Sequence, residues 1–202
     1  MGVVSNGSLD FFYRHGVADI TSNTPITEDT VFRIASITKT FTAIAVMQLE
    51  EQGLVDLEAP ANDYLHSYRL IPAEASFRPA RLRHLLTYTA GIPQMVRPRR
   101  ALSSGWFGES FRLDESLPTL AEYYRGGLRL VVEPGTTFIY TDHGFATLGQ
   151  IVEDVSGQHL DRYFREHIFQ PLGMSTPTSY DPSGLSHTSR PDTTCGPLAR
   201  KL

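Results

Sequence analysis

The spacing of hydrophobic and polar positions changes at Ser36. Before it, Phe32 and Ile34 alternate with Arg33 and Ala35, the period of a strand with one buried face. After it, Ile37, Phe41, Ile44, Ala45 and Leu49 recur every three or four residues, which predicts a helix that Gly53 ends. The pattern therefore places Ser36 in the first turn of a helix fed by a short strand. Upstream, Asn6-Gly7 reads as a two-residue hairpin turn, because both residues tolerate positive φ. Leu9, Phe11 and Tyr13 alternate out of it as a strand, with residues 2–5 as a short partner. Downstream, residues 54–65 are irregular, and residues 82–93 predict a short helix ended by Gly91 and Pro93. Residues 117–124 predict another helix before Gly126-Gly127, then 128–132 are extended and Glu133-Pro134-Gly135 is a turn. After Asp142, the residues Phe145, Leu148, Ile151, Val152 and Val155 share one helical face, with Gly157 beyond. A last helix carries Leu160, Tyr163, Phe164 and Ile168 and stops at Pro171-Leu172-Gly173.

The chain is 202 residues long, the size of one domain with room for a small insertion. We expect the domain over 1–180, with a helical and loop insertion over about 60–130. Residues 181–202 are an irregular tail, since from 175 onward Ser, Thr, Pro and Arg prevail without apolar period. Net charge is −4, which asks for no nucleic acid and no anionic membrane surface. No apolar run is long enough to cross a bilayer. The start has neither the basic segment nor the apolar core of a signal peptide, so the chain as it stands is expected in the cytoplasm, and exported if a segment precedes it. Cys195 is the only cysteine, which removes an intramolecular disulfide and a cysteine metal site. No Gly-x-Ser-x-Gly, phosphate-binding glycine loop or His-Glu-x-x-His occurs, and no metal or organic cofactor is implied.

Ser36 and Lys39 carry the first candidate chemistry. Three residues apart on a helix, their side chains share a face. A helix start favours negative charge on a developing oxyanion, and a neutral amine beside a serine is a base beside a nucleophile. Burial and the positive helix end both push a lysine pKa down. Ser-x-x-Lys alone is common, and Ser36 as a simple helix cap beside a solvated Lys39 remains an alternative. The base composition weighs against it. Of 18 Lys plus Arg, only Lys39 and Lys201 are Lys. Arg cannot release its proton in a protein and Lys can, so the one internal Lys marks a place where a titratable amine is needed.

Other residues carry weaker signals. His84 could act as a base, but beside Leu85 and Leu86 it reads first as structural. Arg97, Arg99 and Arg100 read as a solvated patch. Trp106 and Phe107 could wall a substrate pocket, or pack the local helical region.

Several stretches now line up in one order. Ser36-Ile37-Thr38-Lys39 opens a helix, and His84-Leu85-Leu86-Thr87-Tyr88-Thr89-Ala90-Gly91 follows. Glu133-Pro134-Gly135 then precedes Tyr140-Thr141-Asp142, with Leu148-Gly149 and Pro171-Leu172-Gly173-Met174 after it. Over roughly residues 2 to 180 this resembles the β-lactamase-related serine hydrolases, which include class C β-lactamases, D-Ala-D-Ala carboxypeptidases and esterases. The resemblance implies an α+β, transpeptidase-like fold, an antiparallel sheet flanked by helices with a helical subdomain. It implies Ser36 as the acylated nucleophile, Lys39 as the amine that helps deprotonate it, and Tyr140 as the residue that shares that proton and passes it to the leaving group. The substrate would be a small molecule or peptide with an ester, amide or β-lactam bond.

Two departures bear on function. Asp142 stands where penicillin-recognising members carry Asn, and a carboxylate accepts hydrogen bonds but cannot donate them. It would also hold Lys39 charged, which points to ester or peptide cleavage ahead of efficient β-lactam turnover. After Tyr140 there is no Lys-x-Gly or His-x-Gly, the family's third motif. The sheet is accordingly expected to be incomplete, with an open edge that invites self-association. A truncated, non-catalytic remnant is the competing reading.

Overall fold

The computed structural model describes residues 1–32, 34–96 and 117–174, which fall into two compact units. The first comprises residues 1–35. Strands β1 (Gly2–Ser5) and β2 (Ser8–Phe12) pair antiparallel, and the turn between them uses Asn6 and Gly7 at φ 50° and 78°. That is the positive-φ pair a two-residue hairpin requires. The Met1 ammonium donates to the Tyr13 carbonyl at 2.7 Å, and Tyr13 N–H returns a bond to the Met1 carbonyl. Strands β3 (Val17–Asp19) and β4 (Thr24–Pro25) form a second antiparallel pair. Val31, Phe32 and Ile34 lie outside any strand, contrary to the alternation read from the sequence. Alternating side chains mark a strand only where a neighbour supplies the ladder of hydrogen bonds, and the local pattern carries no information about the neighbour.

The second unit begins at Ser36. A 3₁₀ turn over Ala35–Ile37 leads into α1 (Thr38–Glu51), and Gly53 follows at φ 70°. The buried face of α1 is Thr42, Ala45, Val46 and Leu49, with Phe41 packed at its side. Ile37 and Ile44, which the sequence pattern placed on that face, are exposed. Thr42 occupies the inward position in their stead, so the apolar stripe follows the partner surface and not hydrophobicity alone.

The core is built around α4 (Asp142–Ser156). Its Leu148, Ile151 and Val152 are fully buried, and it packs against α1, α2 (Leu82–Leu86) and α5 (Leu160–Phe164). Each such side chain contributes on the order of 1.5–3 kcal/mol by leaving water. Helix α4 starts at Thr141, whose hydroxyl accepts the His143 N–H, and stops at Gly157 in the left-handed conformation. Helix α3 (Leu120–Tyr123) starts with a reciprocal box between Thr119 and Glu122. Strands β5 (Leu70–Pro72) and β6 (Leu128–Leu130) pair in parallel and bury Leu70, Leu128 and Leu130. Helix α5 continues as one π-helical turn, Arg165–Phe169, that seats Phe169 edge-on against Phe41 at 5.1 Å.

The architecture is α+β, as expected, with the strands of the described residues in three two-stranded pairs. Two of these pairs are antiparallel and one is parallel.

Candidate active site

The segment 88–91 runs alongside 131–139 and brings the second half of the site to the first. Val131 N–H donates to the Gly91 carbonyl, Gly135 N–H to Thr89 and Ile139 N–H to Tyr88, each at 2.8 Å. Gly91 is required for this contact. It sits at φ 78°, and a Cβ placed there would lie 1.9 Å from the Val132 carbonyl oxygen. The Thr141 hydroxyl, besides starting α4, donates to the Pro93 carbonyl at 3.2 Å. Tyr140 and Asp142 are therefore fixed on either side of an anchored residue, at the positive end of a fifteen-residue helix.

These two side chains meet Ser36 and Lys39. Lys39 Nζ donates to Ser36 Oγ at 3.0 Å, to Tyr140 Oη at 3.1 Å and to Asp142 Oδ1 at 2.5 Å. The Tyr140 hydroxyl lies 2.8 Å from Ser36 Oγ. All three donors of the Lys39 ammonium are thus used, and Ser36 is held between an amine and a phenol. The ammonium also stands 5.2 Å from the centre of the Tyr140 ring. Ala35, directly before the serine, has φ 45°, a conformation an L-residue with a Cβ occupies only at a cost.

The electrostatics differ from a simple buried amine. Burial pulls the Lys39 pKa down, but hydrogen bonds from Lys39 to the Asp142 carboxylate and the Tyr140 hydroxyl outweigh it, and the pKa stands above its ordinary value of 10.5. The downward shift expected from burial alone is overturned by Asp142. Tyr140 moves the other way. Its contacts with the Ser36 hydroxyl and then with Lys39 hold the phenol below its ordinary 10.0. The resting site is an ammonium beside an acidified phenol whose O–H donates to Ser36 Oγ.

Comparison with known proteins gives the family. The sequence profile of the family described as Beta-lactamase matches residues 1–191. The chain belongs to the β-lactamase family. Among relatives of this β-lactamase-family chain, esterase EstB of Burkholderia gladioli is 34% identical over 179 residues, spanning 85% of this chain and 44% of its own length. Penicillin-binding protein 4* of Bacillus subtilis is 27% identical over 177 residues, spanning 85% of this chain and 36% of its own. The chain thus spans less than half the length of these curated relatives. Among solved structures, an octameric penicillin-binding protein homologue from Pyrococcus abyssi superposes with a TM-score of 0.73 at 30% identity, over 92% of this chain and 41% of that one.

The structure brings Ser36, Lys39, Tyr140 and Asp142 together. Trp106 and Phe107 lie outside the described residues, as do Arg97, Arg99, Arg100 and the tail 181–202. His84 is not among the partners of Ser36, and its Nδ1 accepts the Arg81 N–H at the start of α2. Sequence reasoning missed Tyr88. Its ring lies 4.8 Å from that of Tyr140 and within 5.6 Å of Phe138 and Phe145, and it has φ 58°. The stack fixes the plane of the Tyr140 ring. The sequence offered Tyr88 only as one member of the His84–Gly91 stretch, with nothing to single it out as part of the site. Among the described residues there is no cluster of metal-ligating side chains and no helix long and apolar enough to cross a membrane.

Proposed function

We propose that this chain is a serine hydrolase that works through an acyl-enzyme, with Ser36 as nucleophile, Tyr140 as the acceptor of its proton and Lys39 as the charge that holds the phenolate. The observation that carries this is the closed set of contacts among Ser36 Oγ, Lys39 Nζ and Tyr140 Oη, the last brought in from more than a hundred positions along the chain. In the forward step Tyr140 acts as the phenolate: the Ser36 oxygen bonds to the acyl carbon as its proton passes to the Tyr140 oxygen, and Tyr140 then gives that proton to the leaving group as the bond from it to the acyl carbon breaks, which restores the phenolate. Water then cleaves the acyl-serine bond by the reverse relay. The backbone N–H of Ser36, in the opening turn where such groups lack helical partners, supplies one donor to the oxyanion.

The substrate is an ester or a short peptide amide ahead of a β-lactam. Asp142 supports that order, because its carboxylate keeps Lys39 charged and cannot donate to a substrate carbonyl. EstB, named an esterase, is consistent with it. Self-association through an unpaired strand edge belongs to the same reading, with the octameric Pyrococcus relative in its support.

The test is intact mass after incubation with a fluorophosphonate probe and, separately, with a penicillin. We expect a one-to-one adduct with the fluorophosphonate on wild type and none on Ser36→Ala. A folded wild-type protein that takes up neither reagent would make the chain a catalytically silent member of the family.

A further inference from the structure

A recess on the second unit lies apart from the serine and its partners. It has a volume of about 380 Å³, in the range that holds small ligands, and is walled by Pro60, Pro79 and Pro134. Its polar groups are Arg78, Arg81, His84 and Glu58. We propose that this recess binds a small monocarboxylate, its oxygens on the Arg78 and Arg81 guanidiniums and on Nε2 of His84.

The imidazole is set up as a donor. Its Nδ1 accepts the Arg81 backbone N–H at 3.2 Å, so in the neutral ring the proton sits on Nε2. Among the described residues nothing accepts that proton. The ring stays neutral near pH 7, because burial and then the Arg81 charge hold its pKa below the ordinary 6.5. Gly135 borders the same nitrogen, and a Cβ there would stand 3.3 Å from it. The glycine leaves open the space a ligand oxygen would use.

The charges leave room for one negative group. Arg78 gives its Nε to Glu133 at 3.0 Å, and Arg81 gives one terminal nitrogen to Glu58 at 2.8 Å. Glu58 is shared with Arg83, so three guanidiniums face two carboxylates. Each lining Arg keeps a terminal nitrogen with no acceptor among the described residues. One surplus charge suits a monoanion, and a second negative charge would meet Glu58 and Glu133. The three prolines offer an apolar wall whose φ is fixed, so it is already shaped for a short hydrocarbon body.

The experiment titrates histidine-labelled protein with sodium benzoate, sodium acetate and inorganic phosphate, and follows the His84 imidazole nitrogens by NMR. Saturable displacement of the His84 Nε2 signal by benzoate, with acetate weaker, is expected. In Arg78→Gln/Arg81→Gln the affinity should fall at least about tenfold. Should that variant unfold, Arg81→Gln alone, which leaves Arg83 on Glu58, gives the same readout. No saturable displacement, displacement unchanged in the variants, or a response to phosphate without one to benzoate would each overturn the assignment.

Discussion

Replacing Asp142 by Asn isolates the charge that raises the Lys39 pKa against the pull of burial. The substitution keeps the shape of the side chain and removes its negative charge from a partner 2.5 Å away. The Asp142 side chain is 77% exposed and that of Lys39 only 14%, so water screens one side of the pair. A screened pair of this kind contributes about 1 kcal/mol. Without that charge the Lys39 pKa falls, and the fraction of neutral amine rises at any pH below it. Burial then dominates, and Lys39 moves toward the neutral amine that a lysine base requires. Acylation by a penicillin, followed by intact mass over time, should therefore speed up about fivefold, the rate factor that about 1 kcal/mol carries. The amide also gains a donor for a substrate carbonyl. The sign in stability can be checked separately. A lysine whose folded pKa is raised stabilises the fold fully below its ordinary 10.5, and that contribution is lost as pH climbs through the folded value. Wild type should thus lose an increment of stability above pH 10.5 that Asp142→Asn lacks. At neutral pH the variant should melt ~2–4 °C lower. Equal acylation rates and superimposable melting profiles from pH 7 to 11 would refute the claim that Asp142 holds Lys39 charged.

Tyr140→Phe removes the hydroxyl from Ser36 and Lys39 together, and fluorophosphonate labelling should slow about 10²- to 10⁴-fold while the melting curve stays near wild type. Gly91→Ala forces a Cβ against the Val132 carbonyl at positive φ, and a loss of more than about 2 kcal/mol in a denaturant melt is expected, with labelling of Ser36 impaired as well. Leu148→Ala opens a cavity under α4 and should cost about 2–5 kcal/mol in the same melt, so a near-neutral result would contradict a core centred on that helix.

What the sequence disclosed follows the range of the physics involved. Asn6-Gly7, Gly53 and Gly157 were legible because a turn or a helix end is set by one or two residues' own φ. The amphipathic face of α4 was legible because five apolar residues keep a single period. The strand read over 32–35 and the inward placement of Ile37 and Ile44 failed for one reason. Both depend on a neighbouring element, which no local pattern names. Ser36, Lys39 and Tyr140 were found by the order of motifs, and their spacing supplied only half the argument. Tyr88 was not found, since a ring stacked on another ring from a distant segment leaves no trace in either stretch of sequence. The upward shift of Lys39 needed Asp142 in place, and it was foreseen only as the consequence of one carboxylate where an amide was expected.

The contacts around Ser36 have a kinetic corollary. Tyr140 meets the serine across 104 residues of chain, and Asp142 meets Lys39 across 103. Closing spans of that length comes late in folding, after the local helices have formed. A chain in which α1 alone is helical carries Ser36 as an ordinary alcohol. On the proposed reading, the reactive centre would appear only when α4 has docked and the 88–91 segment has found its partner. Acquisition of fluorophosphonate reactivity during refolding would then serve as a clock for the last assembly step, trailing the helical circular dichroism signal. A nascent or damaged chain would remain chemically inert until its core is closed.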